Sequence, residues 1–103
     1  MLKAFDGSPV SPVLINDVFE SSINVFDRGL MYGDGLFETI RVVGGNPLLW
    51  DYHVKRLHDG CKKLNIPVDS CSNERLRRGL NRVVSEAQKE LSTCVVKIVI
   101  TQS

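Results

Sequence analysis

Charged side chains interrupt two apolar segments of this sequence, and these positions are where chemistry is first sought. In the segment Leu36–Val43, alternation places Glu38 on one face with Leu36, Ile40 and Val42. Arg41 interrupts the opposite face in the same way. Because a buried carboxylate is costly unless it is paired, Glu38 indicates an internal ion pair that sets sheet register, or a polar cavity beside the strand.

Lys97 interrupts a second apolar segment, Cys94–Thr101, on the face that it shares with Val95 and Val99. A buried lysine whose pKa is depressed is a candidate for Schiff-base formation. The competing interpretation is a lysine whose ammonium group reaches solvent or pairs with a carboxylate such as that of Glu38. The residue pattern alone favours this second interpretation.

Arg56 and Gly60 lie one turn apart on the same side of a predicted helix, outside its apolar stripe. Glycine inside a helix costs about 1 kcal/mol relative to alanine, so close packing or space for a ligand must compensate. A guanidinium fork suits a phosphate because it offers two parallel charge-assisted hydrogen bonds. Without further information, a surface arginine is the simpler interpretation.

The elements that carry these residues follow from the hydrophobic pattern. Residues 1–26 hold turn residues around short apolar pieces and predict short strands and loops. Leu36–Val43 predicts a strand, Gly44–Asn46 a hairpin turn and Pro47–Leu49 a short returning strand. The last strand is predicted over Cys94–Thr101.

Two helices are predicted between the hairpin and the last strand. The first is capped by Asp51 and ended by Asn65 and Pro67, and its buried stripe is Val54, Leu57, Cys61 and Leu64. The second runs from about Asn73 to Leu91, and its apolar face is Leu76, Leu80, Val83, Val84, Ala87 and Leu91. Two helices on one face of a mainly antiparallel sheet predict an α+β fold.

Composition limits the classes of function. At 103 residues and a net charge of +1, the chain suits one domain and has no overall field for nucleic acid or a membrane surface. Its three cysteines lack metal-ligand spacing and suit small buried residues in a reducing compartment, so we expect a cytoplasmic protein without a metal site. Because the chain ends just after a strand, we expect residues 1–103 to be a single domain of a longer, truncated chain, and the family resemblance described below implies that it is the N-terminal domain.

The segment Asp27–Arg41, DRGLMYGDGLFETIR, resembles the D-R-G-x-x-Y-G-D-G-x-F-E-T-x-R segment of the fold type IV pyridoxal-phosphate enzymes. The hairpin Gly44–Leu49, the H-x-x-R-L helix start His53–Leu57 and the strand Val96–Thr101 match further segments of that family. Within the family the pattern is most similar to aminodeoxychorismate lyase. Branched-chain and D-amino acid aminotransferases come next.

The resemblance implies roles for individual residues. Arg56 matches the arginine that binds the cofactor phosphate, and Glu38 matches an acidic residue near the cofactor. The positions that line the substrate side of the pocket match Tyr32, Phe37 and Thr39. Lys97 does not match the Schiff-base lysine, which belongs to the larger C-terminal domain of the family, so no catalytic residue is expected in this chain.

The resemblance also implies an activity. The complete lyase would convert 4-amino-4-deoxychorismate to 4-aminobenzoate and pyruvate in folate synthesis, with pyridoxal 5′-phosphate as cofactor and a homodimeric assembly. The chain alone is expected to be inactive and not to retain the cofactor. Two alternatives stay open: a fragment of a branched-chain or D-amino acid aminotransferase, or a stand-alone interaction module that uses the basic helix face Arg75, Arg77, Arg78 and Arg82.

Overall fold

An antiparallel sheet forms the centre of the molecule. The computed structural model describes residues 2–5, 13–15, 17–19, 35–87 and 91–101. Within them the strands are β1 Leu2–Phe5, β2 Val13–Ile15, β3 Val18–Phe19, β4 Gly35–Val43, β5 Asn46–Pro47 and β6 Thr93–Thr101. They lie in the order β3-β2-β1-β6-β4-β5, and each pairing is antiparallel.

Two helices, α1 Trp50–Lys63 and α2 Asn73–Glu86, pack on this sheet, and a short 3-10 helix, Val68–Cys71, connects them. The predicted α+β class is therefore confirmed. Of the described helices, neither is long and apolar enough to cross a bilayer.

Strands β4 and β6 pair along their whole lengths, from Gly35 opposite Thr101 to Val43 opposite Thr93. Because side chains alternate across a strand, each strand presents one face to the helices and one away from them. The helix-facing side is buried and carries Glu38, Ile40, Val42, Cys94, Val96 and Ile98. The opposite side holds exposed or half-buried residues, and both Arg41 and Lys97 lie there rather than in the core.

Helix α1 begins earlier than its sequence pattern predicts. Leu49 is the residue before the helix, in a left-handed conformation with φ of 56°, and no side chain caps the first turn. Asp51 lies inside that turn, so its prediction as the cap was wrong, although its charge still favours the positive end of the helix dipole. Val54, Leu57 and Cys61 are buried as predicted, whereas Leu64 follows the helix and is exposed.

Helix α2 begins where predicted and ends early. The Ser72 side chain accepts a hydrogen bond from the backbone N–H of Arg75 at 3.2 Å, which caps the helix. The helix ends at Glu86, and Leu91, predicted on its apolar face, is 97% exposed in a turn. Since β6 starts at Thr93, a helix continued to Leu91 would leave too few residues for the chain to reverse.

The core lies between the helices and the sheet. Its fully buried side chains include Ile40, Leu57, Leu80, Val83 and Ile98. All three cysteines are buried, as predicted. The sulfur atoms of Cys61 and Cys71 lie 3.6 Å apart, and burial together with this thiol contact raises the pKa of Cys71 to about 12.

Two leucines of the predicted α2 stripe, Leu80 and Leu91, should respond differently to truncation. Leu80→Ala leaves a cavity in the core and should lower the free energy of unfolding by about 3 kcal/mol. Leu91→Ala removes an exposed side chain and should change it by less than about 0.5 kcal/mol. Urea unfolding followed by circular dichroism measures both, and equal losses would contradict the observed end of α2.

Candidate functional site

Glu38 is the centre of a group of polar side chains between β4 and α1. One carboxylate oxygen, Oε1, accepts a hydrogen bond from Nε of Arg56 at 2.6 Å. The other, Oε2, lies 2.9 Å from Nδ1 of His53. The side chains of Glu38 and His53 are only 11% and 14% exposed, whereas that of Arg56 is 59% exposed. Together with Tyr52, these residues form what we call the Glu38 cluster.

The chain path explains why these side chains meet. The β4–β5 hairpin turns through Gly44 and Gly45, both with positive φ, and α1 follows directly and returns over β4. His53 and Arg56 are three residues apart on α1, so they lie on one side of the helix. Both therefore face Glu38, which points from the helix-facing side of β4.

The charges of the cluster stabilise one another. Burial alone would raise the pKa of Glu38, but hydrogen bonds from His53 and Arg56, and their charges, lower this pKa below its ordinary value of 4.5. The carboxylate is therefore ionised near neutral pH. Hydrogen bonds to Tyr52 and then to Glu38 raise the pKa of Arg56, which stays a cation.

Arg56 keeps hydrogen-bonding capacity toward solvent. Its Nη1 donates to the Tyr52 hydroxyl at 3.3 Å, and its Cζ lies 5.7 Å from the centroid of the Tyr52 ring. The contacts with Glu38 and Tyr52 occupy two of the five N–H donors that a guanidinium carries. Arg56 is therefore held at Nε by Glu38, and its exposed Nη groups keep N–H donors that can bind an anion.

Gly60 is explained by packing and not by a ligand. A Cβ at this position would lie 2.7 Å from Cδ2 of Leu36, so the leucine side chain would have to move to accommodate it. The absence of a side chain lets Leu36 of β4 pack against α1. This contact supplies the compensation that a helical glycine requires, so close packing, here of a side chain, accounts for Gly60.

The predicted substrate-side residues lie elsewhere on β4. Phe37 is 65% exposed and Thr39 is also exposed, both on the side of β4 opposite Glu38. Thr39 pairs with Lys97 of β6, whose Nζ lies 5.0 Å from the centroid of the Phe37 ring. Lys97 is half-buried and contacts this ring, so the suggested pairing of Lys97 with Glu38 was wrong. Tyr32 lies outside the described residues.

His53 and Tyr52 were not predicted as site residues from residue physics. The sequence feature that could have identified His53 is its spacing: His53 and Arg56 are three residues apart, on the side of the helix that must cover the strand. The sequence does not say which residue on the strand they reach. In the described ranges, no group of three histidine, cysteine or acidic side chains is placed to hold a metal ion.

The basic side of α2 is partly used within the molecule. Arg75 pairs with the Asp17 carboxylate at 3.0 Å, and Arg82 donates to the Asp17 carbonyl at 2.8 Å. The guanidinium groups of Arg82 and Arg77 also lie over the rings of Phe19 and Trp50. These contacts hold both the β2–β3 turn and the start of α1 against α2. The arginines therefore have a structural role.

Comparison with known proteins places these features in context. Residues 35–103 match the family described as amino-transferase class IV. The chain is 43% identical over 47 residues to aminodeoxychorismate lyase of Bacillus subtilis, a match that covers 46% of this chain and 16% of the lyase. It is 32% identical over 78 residues to D-alanine aminotransferase of Listeria innocua, covering 72% of this chain and 27% of that enzyme.

A further relative is a Methanocaldococcus jannaschii protein assigned as a branched-chain-amino-acid aminotransferase, 40% identical over 58 residues, which are 56% of this chain and 20% of that protein. The chain thus spans about a quarter or less of the length of these curated relatives. A solved fold IV transaminase from Curtobacterium pusillum superposes on all of this chain and on 43% of its own, with a TM-score of 0.56 and 18% identity. At that identity the likeness shows the fold alone.

The Leu36–Gly60 contact can be tested by a double-mutant cycle. Helix propensity alone would make Gly60→Ala stabilising by about 1 kcal/mol, but the new methyl group collides with Leu36. We expect no gain in the wild-type background and a gain of about 1 kcal/mol in a Leu36→Ala background. Thermal unfolding of the four proteins measures the coupling, and an equal effect of Gly60→Ala in both backgrounds would refute the contact.

Removal of the Glu38 charge should alter the acid dependence of stability. At neutral pH, Glu38→Gln should cost about 1–3 kcal/mol because His53 and Arg56 lose their anion. Since the folded-state pKa of Glu38 is depressed, the carboxylate stabilises the fold above its ordinary pKa of 4.5, and this contribution disappears as pH falls through the folded value. The difference between wild type and variant should therefore shrink in acid.

Urea unfolding at a series of pH values measures this change. Glu86→Gln, which neutralises an exposed carboxylate at the end of α2, is the matched control and should follow the wild-type profile. A constant difference between wild type and Glu38→Gln from neutral to acid pH would show that the Glu38 charge does not stabilise the fold.

Proposed function

The chain belongs to the amino-transferase class IV family, and we propose that it is the N-terminal domain of a pyridoxal-phosphate-dependent aminodeoxychorismate lyase. The complete enzyme would convert 4-amino-4-deoxychorismate to 4-aminobenzoate and pyruvate, a step of folate synthesis. Enzymes of this family use pyridoxal phosphate. The identity of 43% to the Bacillus subtilis lyase supports the proposal, and its coverage of 16% of that enzyme supports a role as one part of a longer protein.

The single observation that best supports a phosphate site is the arrangement of Arg56. Its guanidinium is held by Glu38 at Nε, its outer edge is exposed, and it remains charged. A phosphate binds well to such a fork because the hydrogen bonds are charge-assisted and parallel. The residues of the Glu38 cluster thus fit the phosphate of the cofactor, with Arg56 as the ligand and Glu38 as the residue that holds it.

The cofactor, when bound, supplies an electron sink for the bond that breaks. The residues of this chain would contribute binding and orientation. Arg56 would hold the phosphate, and Glu38 would fix the direction of the guanidinium. On the other side of β4, Phe37 and Thr39 would border the substrate together with Tyr32. Bond cleavage would need a lysine outside these residues, so the chain alone would be inactive.

A second candidate is an aminotransferase for a D-amino or branched-chain amino acid. The match to the Listeria innocua D-alanine aminotransferase favours it because it extends over 72% of this chain, against 46% for the lyase. The phosphate site would be the same in both enzymes. We propose in either case a cytoplasmic homodimer acting on a small molecule, and the exposed Phe37 and Val43 on the open side of β4 support a surface that another part of the enzyme covers.

The two activities can be separated in the longer enzyme that contains this chain. With 4-amino-4-deoxychorismate and no added amino acceptor, a lyase should release pyruvate, measured by lactate dehydrogenase and NADH. An aminotransferase should instead form product only when an amino acid and a 2-oxo acid are both supplied. Amino transfer without pyruvate release from aminodeoxychorismate would rule out the lyase.

The same enzyme tests the phosphate site. Arg56→Gln should raise the dissociation constant for pyridoxal phosphate by about tenfold or more, because one charge-assisted hydrogen bond to the phosphate is lost. Binding is measured by titration of the apoenzyme while its absorbance is recorded. Arg78→Gln, an exposed arginine of α2, is the control and should bind as the wild type does. Unchanged affinity in Arg56→Gln would remove Arg56 from the site.

A further inference from the structure

The two oxygens of the Glu38 carboxylate have different partners. A carboxylate facing a guanidinium commonly takes two parallel hydrogen bonds, one to each oxygen. Here Arg56 donates to Oε1 alone at 2.6 Å, and Oε2 is instead in contact with Nδ1 of His53 at 2.9 Å. Glu38 and Arg56 are therefore joined by a single hydrogen bond. The Nη2 N–H next to Nε takes no part in this ion pair.

We propose that His53 is a positioning residue that keeps the Glu38–Arg56 contact single, so that the Nη2 N–H next to Nε on the Arg56 guanidinium is left for a phosphate. The inference rests on the proposed phosphate-binding role of Arg56. His53 would thus contribute to phosphate binding although its side chain is nearly buried and contacts Glu38 rather than the phosphate. Without His53, the free Oε2 would compete with the phosphate for this Nη2 N–H.

The surroundings of His53 hold the ring in place. The His53 ring and the Tyr52 ring meet edge to face, with centroids 5.7 Å apart and an angle of 68° between their planes. Both His53 and Glu38 are nearly buried, so water competes little for their hydrogen bond. Arg56 bonds to Tyr52 as well as to Glu38, and its direction is set from two sides.

The hydrogen bond between His53 and Glu38 does not depend on the charge of the histidine. An ionised carboxylate only accepts hydrogen bonds, so Nδ1 must carry the proton. That requirement is met by one neutral tautomer of imidazole and by imidazolium. Either form occupies Oε2, and the single contact between Glu38 and Arg56 is kept in both.

Four variants of the full chain separate this role from simple packing. His53→Leu and His53→Phe fill the site without a donor and differ in bulk, so that one of them remains testable if the other does not fold. His53→Asn places an amide N–H near the position of Nδ1 and should restore the wild-type behaviour. His58→Leu is the control, because His58 is a half-buried histidine of the same helix that contacts the Cys71 carbonyl and not Glu38.

The first readout is nitrogen-15 NMR of the Arg56 side chain without any ligand. Two parallel hydrogen bonds to one carboxylate restrict rotation of the guanidinium, so the apolar His53 variants should show slower rotation and slower exchange of the Nη protons. His53→Asn and His58→Leu should match the wild type. If the Arg56 signals of every folded apolar variant equal those of the wild type, the proposal is overturned.

The second readout is titration of each protein with inorganic phosphate, followed at the Arg56 signals. We expect the apolar His53 variants to bind phosphate about three- to tenfold more weakly than the wild type, and His53→Asn to bind within about twofold. Unweakened binding in the apolar variants would overturn the proposal. If the wild type itself shows no phosphate response at Arg56 while the NMR differences appear, the phosphate site fails and the action of His53 on the ion pair stands.

Discussion

A carboxylate buried on the helix side of the sheet sets the main constraint on this molecule. An ionised group in that position is tolerated only when strong partners surround it, and Glu38 has both His53 and Arg56 within hydrogen-bonding distance. Those partners lie on α1, so the pairing joins the helix to β4. One turn further along α1, Leu36 packs against Gly60, and this contact also holds α1 against β4. A polar contact and an apolar contact therefore place the same helix on the same strand.

Strand β4 then separates two kinds of surface by alternation alone. Glu38 points to the helices, while its neighbours Phe37 and Thr39 point to the opposite side, where Lys97 lies beside them. The helix side is buried and mostly apolar around the charge of Glu38, and the open side carries the Phe37 ring and the Lys97 ammonium group. One short segment can thus present a buried ion pair on one side and an exposed contact surface on the other, because the residues of the two sides do not share neighbours.

Much of this arrangement could be predicted from the sequence, and the remainder has identifiable physical reasons. Alternation located Glu38 as a buried charge, and periodicity located the stripe of α1. The pairing of Glu38 with Lys97 that the sequence suggested was wrong, and the actual partners His53 and Arg56 were missed, because a linear pattern does not show which helix side covers which strand position. The ends of the helices were misplaced at Asp51 and Leu91, since tertiary connections override capping and periodic signals there.

The division between the two sides of β4 also separates what the two proposed activities have in common from what would distinguish them. The phosphate binding proposed for Arg56 would serve a lyase and an aminotransferase equally, so the Glu38 cluster does not distinguish which bond is broken. Substrate choice must depend on groups that contact the reacting molecule, and in this chain those are proposed on the open side, around Phe37 and Thr39. Lys97 adds a positive charge beside them. If the chain is one part of a longer enzyme, as proposed, the difference between the two reactions would lie in the residues that complete this open side.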